Sequence, residues 1–249
     1  MSTTALLISA FFFIALVYSS VGFGGGSSYL ALLALPLFGL PQEVIRPTAL
    51  FCNVVVVTGG VIIFYLQKEL KWKEALPYLV LSVPLAYLGG KIKLSERDFF
   101  LLLAVTLMIA AIFLWIQPQK QKVQSSNGLM AKQSLTGGAI GFLSGSVSIG
   151  GGIFLSPIMH IFNWSEPKRI SAIASVFILV NSISGLLGQF RNGIPNLDWS
   201  FIIPLLVAVL AGGQIGSRLG SKVFNPLYIK RITAVLILVA GLIIFNEHY

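Results

Sequence analysis

The chemistry this sequence can offer is concentrated at two glycine triplets. Gly24-Gly25-Gly26 follows Val21-Gly22-Phe23 and runs into Ser27-Ser28, and Gly150-Gly151-Gly152 follows Val147-Ser148-Ile149. Each stands between long apolar runs. A glycine inside a helix costs about 1 kcal/mol relative to alanine, so three in a row mark a break. In hydrocarbon a break strands backbone groups where no water can reach them, and it survives only beside a polar cavity or a protein-buried turn. The bland account, close helix packing through small residues, spaces its glycines four apart instead of stacking them. A helix resuming after Gly26 or Gly152 presents free N–H groups and a positive dipole end to the break. Bare glycine backbone also lets a ligand oxygen come close. The expectation is an anion cradle.

The side chains agree. All eight acidic residues (Glu43, Glu69, Glu74, Glu96, Asp98, Glu166, Asp198 and Glu247) fall in loops or at the ends of apolar spans. That argues against a buried carboxylate relay and against a cation site. The interior holds neutral hydrogen-bonding groups instead. With the triplets they give the candidate substrate-binding set: Gly24, Gly25, Gly26, Ser27, Ser28, Asn53, Ser146, Ser148, Gly150, Gly151, Gly152, Ser175 and Asn181. The cradle is expected to work without a buried fixed charge. Serines in membrane helices often bond their own backbone carbonyls, so each has a structural alternative. Arg46 and Arg169 stand at the start of the spans after the triplets. They either guide anions at a cavity mouth or pair with Glu43 and Glu166 at a helix start.

Other chemistries are disfavoured. Gly22-x-Gly24-x-x-Ser27 has no βαβ context, and no Walker lysine follows the glycines. His160 and His248, beside the single Cys52, are too few for a metal site. No nucleophile elbow appears, so neither an enzyme nor a cofactor is expected.

Composition supplies the elements that must position these residues. The 249-residue chain is 56% hydrophobic and 10% charged, with a mean hydropathy of +0.89. Soluble domains carry about 25% charged residues. This is a polytopic all-α membrane protein whose expected partner is the lipid bilayer, and the net charge of +9 suits orientation in a membrane better than nucleic-acid binding. No Lys or Arg precedes Arg46, so residues 5–20 read as a retained first segment, not a signal peptide. The polar stretch 117–133 divides the chain into a first membrane repeat, 1–116, and a second, 134–249. Glu43-x-x-Arg46 matches Glu166-x-x-Arg169, while Trp72, Pro77, Gly89 and Lys91 match Trp199, Pro204, Gly216 and Arg218 at one offset of 127.

Charge counting decides the expected topology. If each triplet element crossed the membrane once, the 17 Lys and Arg residues would split seven against ten. If each triplet tips a hairpin that returns to its own side, five (Arg46, Lys91, Lys93, Arg97, Arg191) oppose the remaining 12. The second split is what positive-inside sorting produces. It leaves three crossings per half, inverts the halves relative to each other, and puts both termini outside the cytoplasm. Inverted halves with broken helices at the midplane are a transporter architecture.

A Gly-x-Gly-Gly-Gly motif with a short apolar arm, repeated about halfway along a chain of this length, resembles the sulfite exporter TauE/SafE family. The motif maps onto Gly22, Gly24, Gly25 and Gly26, and again onto Gly150, Gly151 and Gly152, with Ser148 where the first copy has Gly22. The resemblance implies a permease of a bacterial-type inner membrane for small inorganic or organic sulfur-containing anions such as sulfite, sulfoacetate or other organosulfonates. A passive anion channel is the alternative. The sequence leaves open a coupling ion (proton or sodium), a homodimer, and the direction of transport.

Overall fold

A computed structural model of the chain describes residues 3–20, 23–116, 129–191, 193, 195–219 and 226–249. Ten α-helices are placed: α1 Thr3–Ser19, α2 Gly26–Leu33, α3 Gln42–Leu66, α4 Trp72–Lys91, α5 Glu96–Trp115, α6 Leu129–Val147, α7 Gly152–Ile161, α8 Pro167–Phe190, α9 Trp199–Leu219 and α10 Pro226–His248. No strand occurs among the described residues. Most of the expected linker, residues 117–128, and also Gly22 lie outside them, while residues 129–133 open α6.

The boundaries follow local chemistry. Pro167 and Pro226 open their helices, where a missing N–H is harmless. Ser95 caps α5 by accepting from the Asp98 amide at 3.1 Å, and Glu96 and Asp98 sit in that first turn. Five helices (α3, α5, α8, α9 and α10) are long and apolar enough to span a membrane. Three crossings per half require six. The sixth, α4, is 20 residues long, but its prolines, tyrosines and terminal charges dilute its hydropathy. Outward-facing Ile232, Leu236, Val239 and Leu242 of α10 are exposed, as a lipid-facing surface requires. The central helix is α8, with 72% of its apolar window buried against 33% for α10.

The chain turns back at the first break. The rings of Phe11 on α1 and Tyr29 on α2 stack with centroids 4.7 Å apart. A continuous helix would separate those residues by about 27 Å.

Packing between the halves is reciprocal. If α1–α5 are matched in order with α6–α10, the major contacts map onto one another: α4 on α6 with α9 on α1, and α4 on α8 with α9 on α3. The pairs α3–α8 and α5–α10 map onto themselves. Both self-matched pairs run antiparallel. A methyl placed on Gly185 would lie 3.4 Å from Leu50 Cδ1, and one on Gly60 would lie 3.8 Å from Ser175 Oγ. Arg97 at the start of α5 donates to the carbonyls of His248 and Tyr249, at 3.3 and 3.0 Å. Arg231, early in α10, lies over the Trp115 ring near the end of α5.

Glycines spaced four apart do pack helices here, away from the triplets. Gly137, Gly141 and Gly145 of α6 press against the carbonyls of Tyr78, Ser82 and Ala86 on α4. Gly212 and Gly216 of α9 press against those of Phe12 and Leu16 on α1. Close backbone approach through small residues substitutes for the hydrophobic drive that lipid does not supply.

Candidate functional site

The two helix breaks meet at one cavity. Gly25 is the N-cap of α2 with φ 83°, and Gly151 the N-cap of α7 with φ 84°. Both are left-handed, a conformation in which an L-residue is strained by about 1–3 kcal/mol. Neither cap uses a side chain. The hydrogen-bond ladder begins only with Ser28 N to Gly25 O, 2.9 Å, and Phe154 N to Gly151 O, 3.1 Å. Among the described residues the amides of Gly26, Ser27, Gly152 and Ile153 find no acceptor.

Asn53 of α3 ties the breaks together. Its Nδ2 donates to the carbonyl of Ile149 at 3.1 Å, and its amide lies so close to Gly26 that any side chain there would collide with it. The residue is fully buried, and its Oδ1 has no hydrogen-bond partner. A buried amide oxygen left open in this way is costly unless a ligand or water meets it.

The cavity, about 20 Å³, is lined by Gly24–Gly25–Gly26–Ser27 and Phe23 of the first break and by Ile149, Gly152 and Ile153 of the second. Tyr18, Asn53, Leu114, Ile178, Lys230 and Thr233 complete it. That volume holds about one or two waters, so the site is nearly closed. Thus Gly24, Gly25, Gly26, Ser27, Asn53 and Gly152 line one cavity. Gly151 shapes the second turn, and Gly150 packs beside Asn53 and Ser182. Ser28 shares a hydrogen bond with Tyr18. Ser146, Ser175 and Asn181 stand off the lining. Each donates to the carbonyl one turn back on its own helix: Phe142 at 2.9 Å, Ser171 at 2.9 Å and Phe177 at 2.8 Å.

Two wider vestibules flank the cavity. The first, about 470 Å³, lies where the end of α3 meets the start of α8; His160, Lys168, Arg218 and Lys230 line it, and among the described residues no acidic one does. It shares Phe23 and Lys230 with the central cavity. The second, about 410 Å³, lies where the start of α3 meets the end of α8 and includes Glu43, Arg46, Lys93 and Gln189. Among the described residues it shares none with the cavity.

Arg46 stands between that second vestibule and the second break. It is buried, with Nε donating to Ser148 Oγ at 3.3 Å and Nη2 to the Gly90 carbonyl at 3.4 Å. Its guanidinium lies 5.6 Å from the centre of the Phe99 ring, in cation–π range. Ser148 is left-handed, φ 65°, and its hydroxyl also accepts from Gln189 Nε2 at 2.9 Å. The hydroxyl is thus held by two donors in a conformation that glycine would adopt freely. Arg169, by contrast, pairs with Glu74 at 3.4 Å and Glu166 at 3.8 Å near the surface.

The expectation of a cradle without fixed charge does not hold, because Lys230 of α10 lines it. In sequence Lys230 and Thr233 are three apart, on one face of α10, but Arg231 beside them makes the segment read as an ordinary charged helix start. Among the described residues no set of three His, Cys, Asp or Glu side chains could hold a metal ion.

Comparison with known proteins places this architecture. The model of the family described as "Sulfite exporter TauE/SafE" matches residues 7–244, and the chain belongs to that family. It is 35% identical to the "Probable membrane transporter protein y4hK" of Sinorhizobium fredii, over 97% of this chain and 98% of that one. It is 26% identical to the "Probable membrane transporter protein MJ0441" of Methanocaldococcus jannaschii, over 95% and 93%. A "Probable membrane transporter protein YunE" of Bacillus subtilis is 22% identical over 92% and 93%. No solved structure matches the chain. The protein is a membrane transporter, not an enzyme.

Proposed function

We propose that the chain is a secondary transporter for small sulfur-containing anions such as sulfite, sulfoacetate or other organosulfonates. The observation that carries this is the meeting of two glycine-capped helix starts at one cavity where, among the described residues, their first amides have no partner and no carboxylate lines the space. Each start is a concentration of N–H donors and positive dipole, the arrangement that binds oxyanions. Gly24, Gly25, Gly26, Ser27 and Gly152 supply backbone, Asn53 supplies a side-chain amide, and Gly150, Gly151 and Ser148 shape the second turn. Ser28 supports Tyr18, and Arg46 guards one entrance. Ser146, Ser175, Asn181 and Arg169 serve the scaffold.

Transport proceeds by alternating access between inverted halves. The antiparallel pairing of matched helices α3–α8 and α5–α10 supports the inversion, as does the twelve-to-five charge split. The vestibule carrying Lys168 and Arg218 then faces the cytoplasm, and both termini face outward. A channel would join both vestibules to the cavity at once, whereas among the described residues only one shares lining with it.

The test is counterflow of labelled sulfite in proteoliposomes, with and without proton or sodium gradients. Saturable trans-stimulated exchange is the expected result, and the gradient that drives uptake names the coupling ion. Flux linear in concentration, without trans-stimulation, would mean a channel. No sulfite, sulfoacetate or thiosulfate flux at all would remove sulfur anions as the cargo.

A further inference from the structure

Among the described residues Lys230 is the one side chain of fixed charge on the cavity, and it also lines the vestibule that opens toward it. Among the described residues its ammonium forms no hydrogen bond or ion pair, and no acidic residue lines either space. A half-buried lysine without a counter-ion is costly to keep in a membrane protein unless it meets a charge that comes and goes. The second observation at this site is Asn53, whose buried Oδ1 is unpartnered on the same cavity.

We propose that Lys230 is a ligand of the transported anion and sets a preference for doubly charged over singly charged species. Each helix start contributes roughly half an elementary positive charge. With the ammonium the site offers about two positive charges, which balances a dianion and over-compensates a monoanion. Phe23 lines the same junction, so an anion passing from the vestibule to the glycine backbone moves along the Lys230 stem.

This inference rests on the anion-transport reading, and one pair of probes separates their fates. Thiosulfate and methanesulfonate are nearly isosteric and differ by one charge. Coulomb energy scales with ligand charge, so replacing Lys230 should weaken thiosulfate by about the square of the factor by which it weakens methanesulfonate. Measured by calorimetry on detergent-purified protein, Lys230→Met should lose about fivefold for methanesulfonate and about 25-fold for thiosulfate, the latter within the range of a lost charge-assisted hydrogen bond. Lys230→Arg keeps the charge and should hold both affinities within about threefold. Melting temperature is read on the same preparations.

Equal losses for the two anions, or none, with an unchanged melting temperature would overturn the role of Lys230 and leave the transporter reading standing. So would loss of the thiosulfate preference in Lys230→Arg, the variant that decides the matter if Lys230→Met does not fold. Wild-type protein that binds neither anion would overturn both readings.

Discussion

Arg46 and Arg169 occupy matched positions in the two halves, each three residues after a matched glutamate, yet they end in opposite circumstances. Arg46 is buried against the second glycine break, bonded to Ser148 and to the Gly90 carbonyl. Arg169 is partly exposed and paired with Glu74 and Glu166. Two sequence differences account for the divergence. Glu74, the carboxylate that α4 offers to Arg169, is matched by Phe201 in α9 at the offset of 127 that relates those two helices, and Phe201 offers Arg46 nothing ionic. Ser148, whose hydroxyl receives Arg46, is matched by Gly22, which has no side chain to offer. A duplicated motif thus became a buried contact with the second break on one side of the molecule and a surface ion pair on the other. Arg46 lies beside the vestibule that, among the described residues, shares no lining with the cavity, so the asymmetry of the side chains follows the asymmetry of the two vestibules.

The helix contacts beneath show a second asymmetry. In the α4–α6 pair three packing glycines lie on the helix before the break and one, Gly89, on its partner, whereas in the α1–α9 pair they lie on the partner. If close approach is what both contacts need, either glycine set should be equally intolerant. Gly145→Val and Gly212→Val each drive a branched side chain into a backbone carbonyl, of Ala86 and Phe12 respectively. Both should lower stability by about 3 kcal/mol or more, the upper end of over-packing, seen as lost monodisperse protein or a large fall in melting temperature. A marked drop in only one would show that the other pair can separate without cost.

Arg46→Gln should have an intermediate effect. It removes a buried cation with two hydrogen bonds, leaving Ser148 held by Gln189 alone, at a cost of about 1.5–3 kcal/mol. The functional consequence is more specific. With Ile149→Cys introduced into a Cys52→Ser background, a soluble thiol reagent added on the Arg46 side should label position 149 faster once Arg46 is Gln. Unchanged labelling alongside reduced stability would make Arg46 a core residue, not a latch.

The large features of this protein were legible because they are written in backbone chemistry. Stacked glycines break a helix whatever surrounds them, and long apolar runs are long enough to cross a membrane regardless of partner. The cavity-lining glycines, Ser27 and Asn53 were legible for the same reason, lying next to a break or on the span after it. Ser146, Ser175 and Asn181 were not separable from them, since a serine that bonds its own helix looks the same in sequence as one that faces a cavity. Lys230 was invisible for a different reason. It lies some 80 residues beyond the second triplet, and only the packing of α10 on α2 brings it to the cradle. By charge counting it was one more loop lysine. The divergence of Arg46 from Arg169 was hidden too, because the matched Glu-x-x-Arg motifs are alike and the deciding partners lie on other helices.

The smallest effect belongs to Arg169→Gln, and its smallness is what sharpens the comparison. The Arg169 pairs are 3.4 and 3.8 Å long, and the glutamate side chains are 36% and 61% exposed. Ion pairs open to solvent contribute about 0–1 kcal/mol, and salt screens them. Glu74 also keeps Ser165 Oγ at 3.2 Å and Lys71 at 3.7 Å after the substitution, so no buried charge is left without a partner. Melting temperature should therefore change little and sulfite exchange should stay within about twofold of wild type. The small loss of stability should vanish in high salt, while that of Arg46→Gln persists. If Arg169→Gln instead abolishes exchange at unchanged melting temperature, the two arginines share a role at the two vestibule mouths. The asymmetry between them would then belong to one state of a cycle in which the latch changes sides.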